Sequence, residues 1–159
     1  MNRVRSARVG WIAVLMIVLS MSLLAEVKVE LKASKIVVVN GAEQRQPADK
    51  ATPGAIIEYV AEYKNTAKTA VSNVVATLPV PPGMEYVPDT AEPAQVMAST
   101  DDRNYSPAPL KRSVRGADGK MVEQLVPFSE YRSLRWKLGD IEGDSSKSVK
   151  ARMKVKSAK

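Results

Sequence analysis

The chain has 159 residues, a formal net charge of +7, no histidine and no cysteine. Its length fits one domain. The two missing residue types exclude Ser-His-acid and Cys-His nucleophiles, the usual zinc sites and any disulfide. A chain of this size stands on packing alone, because it buries about 65–70% of its surface without covalent staples.

Arg3, Arg5 and Arg8 precede an uncharged, mostly apolar run over residues 11–25, and charges resume at Glu26. A basic start, a short apolar middle and a small residue at the end form the pattern of a secretory signal. The run is fifteen residues long, short of the roughly 20 that span a bilayer. Cleavage is expected after Ala25. An uncleaved anchor is the alternative, since Leu23 is bulkier than the residue usual at that position. No cysteine stands near the junction for lipid attachment. Loss of residues 1–25 removes three arginines and no acid, lowering the charge from +7 to +4. This mild balance lacks the clustered excess of a nucleic-acid binder. Export points the same way, so no nucleic-acid partner is expected.

Residues 27–32, VKVELK, alternate strictly, with Val27, Val29 and Leu31 on one side and Lys28, Glu30 and Lys32 on the other, as in a half-buried strand. Residues 35–39 continue as KIVVV and end at Asn40-Gly41, a dipeptide that supplies the positive φ angles of a tight turn. Residues 42–53 are polar, contain two prolines and read as loop. The next strand places Ile57, Tyr59, Ala61 and Tyr63 on one face and stops at Asn65, where an amide side chain can bond local backbone. Residues 73–78 form another strand, ended by PVPPG, and residues 84–87 form a short one. The stretch 89–133 is irregular, apart from a hairpin centred on Asp118-Gly119. Leu134, Trp136 and Leu138 share one strand face, with Trp136 read as a core plug. In the last strand Val149, Ala151, Met153 and Val155 alternate with Lys150, Arg152, Lys154 and Lys156. Short strands punctuated by turns, without a sustained helical stripe, predict an all-β antiparallel sandwich over residues 26–159.

Residues 54–87 carry a specific set of landmarks: Gly54, Tyr59, Asn65-Thr66, Asn73-Val74, Val80-Pro81-Pro82-Gly83 and Tyr86. This set resembles the bacterial surface-repeat family catalogued as domain of unknown function eleven. Trp136, Gly139 or Gly143 and residues 147–155 are similar to that family's late tryptophan, glycine turn and closing strand. The resemblance implies an immunoglobulin-like sandwich in an exported bacterial protein, and it implies no catalytic residues. This chain departs from the family in holding one copy, in Leu78 where an acid is common, and in the length of 89–133.

Three surface features are candidate sites. Asp140, Glu142 and Asp144 gather oxygen donors in one turn, as does residues 99–104, but neither has the EF-hand spacing and solvated turns favour acids anyway. No cofactor or metal is expected. The alternation of the last strand puts Lys150, Arg152, Lys154 and Lys156 on one surface, joined by Lys28 and Lys32 if the first strand lies close. Such a face could hold an anionic envelope component, or its cations could blunt an edge strand against aggregation. The stretch 89–133 is the place for partner-specific contacts, because loops on a rigid sandwich carry recognition. The functional expectation is an exported, non-enzymatic structural or protein-interaction module, periplasmic or at the cell surface. Its expected partner is an envelope protein or anionic envelope component, with membrane contact only through an uncleaved leader. A factor gripping an anionic polymer or lipid head group through the basic strand is the alternative, and a cell-wall hydrolase is the reading in the enzyme class.

Overall fold

The computed structural model describes residues 27–49 and 52–157, so the leader assigned to residues 1–25 lies outside the described residues. Among the described residues no helix is long and apolar enough to cross a membrane. The chain folds as antiparallel β-sheets packed face to face. The alternating run at the start becomes one continuous strand, β1 (Val27–Val39), instead of two. It turns at Asn40 (φ 53°) and Gly41 (φ 80°) into β2 (Ala42–Pro47). Residues 42–47 are therefore strand and not loop. The tight turn pins the register, and two side chains of β2 anchor it across the sheet.

β3 (Ile56–Asn65), β4 (Val71–Pro79) and β5 (Met84–Tyr86) follow. After them come β6 (Met97–Ser99), β7 (Ser106–Pro107), β8 (Lys111–Arg115) and β9 (Met121–Leu125). A 3-10 turn (Phe128–Glu130) leads into β10 (Ser133–Ile141) and β11 (Ser146–Val155). One sheet has the order β2-β1-β3-β11-β5 and the other β4-β10-β6-β7, with β8-β9 a separate hairpin. The stretch 89–133 thus contributes two strands to the second sheet, and only its hairpin stands apart. Strands of two or three residues carry no readable alternation, which is why this part appeared irregular.

The core lies between the sheets. Ala61, Val149, Ala151 and Met153 from one layer meet Ala76, Leu78, Leu134, Trp136 and Leu138 from the other. Trp136 is buried, and its indole N–H donates to the Pro93 carbonyl at 2.8 Å, so the ring fills space without stranding its one polar atom. Tyr86, Phe128 and Tyr131 form an aromatic cluster with centroids 5.4–6.0 Å apart, and the Tyr131 hydroxyl accepts the Leu110 N–H at 2.7 Å. β1 reaches past the cover of the second sheet. Its Val29 and Leu31 lie on the same face as Tyr63 and Ala61, yet remain 57% and 53% exposed.

Two polar side chains close the margins of the sandwich. Asn65 is fully buried; its amide nitrogen donates to the carbonyls of Thr69, Ile141 and Glu142 at 2.7–3.2 Å, and its oxygen accepts the Ala67 N–H. It ties the β3–β4 connection to the β10–β11 turn. Tyr63 projects from β3 to β4, where its hydroxyl accepts the Thr77 N–H at 3.2 Å and donates to the Thr77 carbonyl at 3.5 Å. Those groups face away from β10, so the hydroxyl occupies part of an open strand edge. Pro79 has no N–H to offer there, and the Asn73 N–H is accepted by Asp140 at 3.1 Å.

Candidate functional site

Lys150, Arg152 and Lys154 share a face of β11, with Lys156 just past its end, but they do not form a free basic surface. β11 lies inside its sheet, with β3 on one side and β5 on the other, and a bridge from Glu92 to Lys150 continues the second flank. Protection of an edge strand is therefore not what these cations do. Arg152 donates to Glu58 at 3.1 Å through Nε and to both oxygens of Glu43 at 2.7 and 2.8 Å. Arg45 donates to the other oxygen of Glu58 at 2.7 Å. Lys150 pairs with Glu92 at 2.8 Å. Lys154 stays exposed, and Lys156 donates to the Ser129 carbonyl at 3.1 Å. β3 separates β1 from β11, so Lys28 and Lys32 stand across from Lys64 and Val60, and Lys32 pairs with Glu30 at 3.1 Å.

Glu58 is the centre of this network and is 1% exposed. Burial pushes its carboxyl up, but hydrogen bonds from Arg45 and Arg152, with their charges, outweigh burial and hold it below the ordinary carboxylate value. The bond from Arg152 likewise lowers Glu43. Four charges from three strands are thus settled among themselves.

The two oxygen-rich turns are also occupied by their own chain. Asp140 accepts the Asn73 N–H, and Asp144 pairs with Lys68 at 2.8 Å. Asp101 accepts the N–H groups of Asn104 and Arg103, the Asn104 amide and the Ser99 hydroxyl at 2.7–2.9 Å. These bonds, led by the two backbone N–H groups, hold its carboxyl well below the carboxylate range. Among the described residues no three acidic side chains gather in a way that could hold a metal ion.

A concavity lies at the end of the sandwich where β4 and β11 finish and β10 begins. It is an open groove of about 1150 Å³. The Pro79–Gly83 turn lines it, together with Thr77, Thr100 and Ser133. Arg132, Arg135 and Lys156 line it. Arg135 is held in a fixed posture, with its guanidinium 3.5 Å from the centroid of the Tyr105 ring and its Nε donating to the Thr77 hydroxyl at 3.2 Å. The ring under it is locked in turn. Ser133, a buried serine, donates to Asp102 at 2.6 Å, which leaves Tyr105 to donate its hydroxyl proton to Ser133 at 2.7 Å. Among the described residues no acid pairs with Arg132. Glu130, the other carboxylate of the rim, is held bidentately by Arg112 at 2.8 and 3.2 Å.

Of the four basic residues of the last strand, only Lys156 belongs to this groove. Arg132, Arg135 and Tyr105 come from the start of β10 and the β6–β7 connection. The outward position of Arg135 between Leu134 and Trp136 was a readable signal, but its neighbours in space are remote in sequence.

No family model, curated protein or solved structure matches the chain.

Proposed function

We propose that the chain is an exported, non-enzymatic interaction module of the bacterial cell envelope, periplasmic or displayed at the surface, which meets its partner through the groove at the end of the sandwich. The observation that carries this reading is the unequal fate of the cations. Lys150 and Arg152 on the β11 face are paired with carboxylates, whereas Arg132 and Arg135 stand in a concavity with one of them prepositioned on Tyr105. Prepositioned groups lose little freedom on binding, which is how a rigid scaffold gains affinity.

The arginine-led apolar run before Glu26 supports export. The landmarks over residues 54–87 that resemble the surface-repeat family support a bacterial envelope setting. A chain without histidine or cysteine has few routes to covalent or acid–base chemistry, which favours contact over catalysis. Recognition of an anionic polymer or lipid head group through the β11 face has less support, because Arg152 and Lys150 already have carboxylate partners.

An affinity pull-down from an envelope fraction, repeated at high salt, tests the proposal. A partner captured at low salt and released at high salt is the expected result. Retention of the uncleaved chain in the cytosol, or hydrolysis of a cell-wall substrate by the purified protein, would reject it.

A further inference from the structure

We infer that the groove between the Pro79–Gly83 turn and the start of β10 binds an extended, carboxylate-bearing segment of a partner protein. This deepens the reading of the chain as an interaction module and rests on it. Three observations specify the occupant. The first is size, since about 1150 Å³ exceeds the range of roughly 300–1,000 Å³ typical of small-molecule pockets. A stretch of chain fits it better than a compact ligand.

The second is charge. Arg132, Arg135 and Lys156 face Asp102, whose carboxylate is engaged by Ser133, and Glu130, which is neutralised by Arg112. The excess is cationic. Arg135 uses Nε on Thr77 and one ring face on Tyr105, which leaves its two terminal nitrogens for a planar anion. A guanidinium in that state matches a carboxylate with two parallel hydrogen bonds.

The third is the absence of a sugar platform at the rings that line the groove. Arg135 covers Tyr105, and Tyr131 is buried in its cluster with Tyr86 and Phe128. What remains beside the cations is the proline-rich turn and the exposed hydroxyl of Thr100. Apolar side chains of a peptide rest on the prolines, and its backbone reaches Thr100. A flat anionic membrane would meet a protruding basic surface, whereas these cations sit in a concavity. The inference is therefore a protein strand or loop whose acids alternate with apolar residues.

The test uses fluorescence anisotropy with the processed chain and a labelled peptide alternating glutamate and valine. A glutamine–valine peptide, polyphosphate and vesicles of anionic phospholipid are the other probes. The glutamate peptide is expected to bind at low salt and the glutamine peptide about tenfold more weakly. Arg132→Glu, a substitution at an exposed side chain, is expected to weaken the glutamate peptide by about tenfold, and Lys154→Glu, outside the groove, by less than about twofold. Arg135→Gln should weaken it as well, with the melting curve of each variant recorded as the check on folding. Equal binding of both peptides, equal effects of Arg132→Glu and Lys154→Glu, or Arg132-dependent binding of polyphosphate or vesicles without the peptide would overturn the inference. An envelope partner captured equally by wild type and Arg132→Glu would sink the groove and leave the interaction module standing. Peptide binding by a chain that captures no envelope partner would do the reverse.

Discussion

Arg152 of β11 and Glu43 of β2 are joined by two parallel hydrogen bonds of 2.7 and 2.8 Å, although β1 and β3 lie between their strands. The arginine reaches across the sheet above Glu58, and this buried carboxylate sits between Arg152 and Arg45. The arrangement braces the outer face of the five-stranded sheet, and it makes that bracing dependent on charge.

Glu58→Gln should cost about 1–3 kcal/mol at neutral pH, a discounted value because Arg45 is largely exposed. The pH dependence has a definite sign. A carboxyl held below its ordinary value of 4.5 contributes stability that is present above that value and lost as pH falls through the lower, folded value. Thermal melts between neutral and acidic pH should show wild type losing stability on acidification, and Glu58→Gln losing visibly less. Parallel curves for the two proteins would contradict this account.

Arg152 and Lys154 are neighbours on one face and should behave differently. Arg152→Gln removes three hydrogen bonds and leaves Glu58 with one cationic partner, at a cost of about 1–3 kcal/mol. Lys154→Gln should stay within about 0.5 kcal/mol of wild type. Urea unfolding of the two variants side by side separates an internal role from a surface one.

Gly143 is pressed against the backbone of the β3–β4 connection. A methyl group there would stand 2.2 Å from the Lys68 carbonyl oxygen, which is main chain and cannot swing aside. Gly143→Ala should destabilise by about 1–3 kcal/mol or more. Gly116→Ala is the control, since its closest contact is the flexible end of the Asp118 side chain at 2.9 Å. Chemical denaturation should rank Gly143→Ala well below Gly116→Ala, and equal midpoints would refute the packing argument.

Tyr63→Phe should cost about 1 kcal/mol through the lost hydroxyl. Its larger effect should be on association, because the Thr77 N–H and carbonyl become available at the margin of β4, a strand without a charged residue. Sedimentation velocity over a range of concentrations should show larger species for the variant than for wild type.

Much of the sandwich was legible from alternation. Ile57 to Tyr63 and Val149 to Val155 announce strands whose two faces meet different surroundings. Val27 to Lys32 is a strand as its alternation indicates, but its apolar side is left exposed. Asn40-Gly41 and Asp118-Gly119 mark turns that exist. β2 escaped notice because AEQRQP is exposed throughout and has no apolar side to reveal it. Lys150, Arg152 and Lys154 alternate along β11, but the partners of Arg152, Glu43 and Glu58, lie 109 and 94 residues away along the chain, a distance that no local pattern encodes. The groove was hidden for the same reason. Tyr105 and Arg135 are thirty positions apart, and only the pairing of β10 with β6 brings their connections together.

The hairpin of β8 and β9 leaves the sandwich after Leu110 and returns at Val126, two buried residues closed by a hydrogen bond of 2.9 Å from the Val126 N–H to the Leu110 carbonyl. Entry and exit are therefore a fixed doorway, and what hangs beyond it has little leverage on the two layers. Lengthening the tip at Asp118-Gly119, or splicing in an epitope or a small fluorescent protein, should leave the body of the molecule as it is. That gives a handle for following the protein in its native surroundings without touching the end that is proposed to make contact.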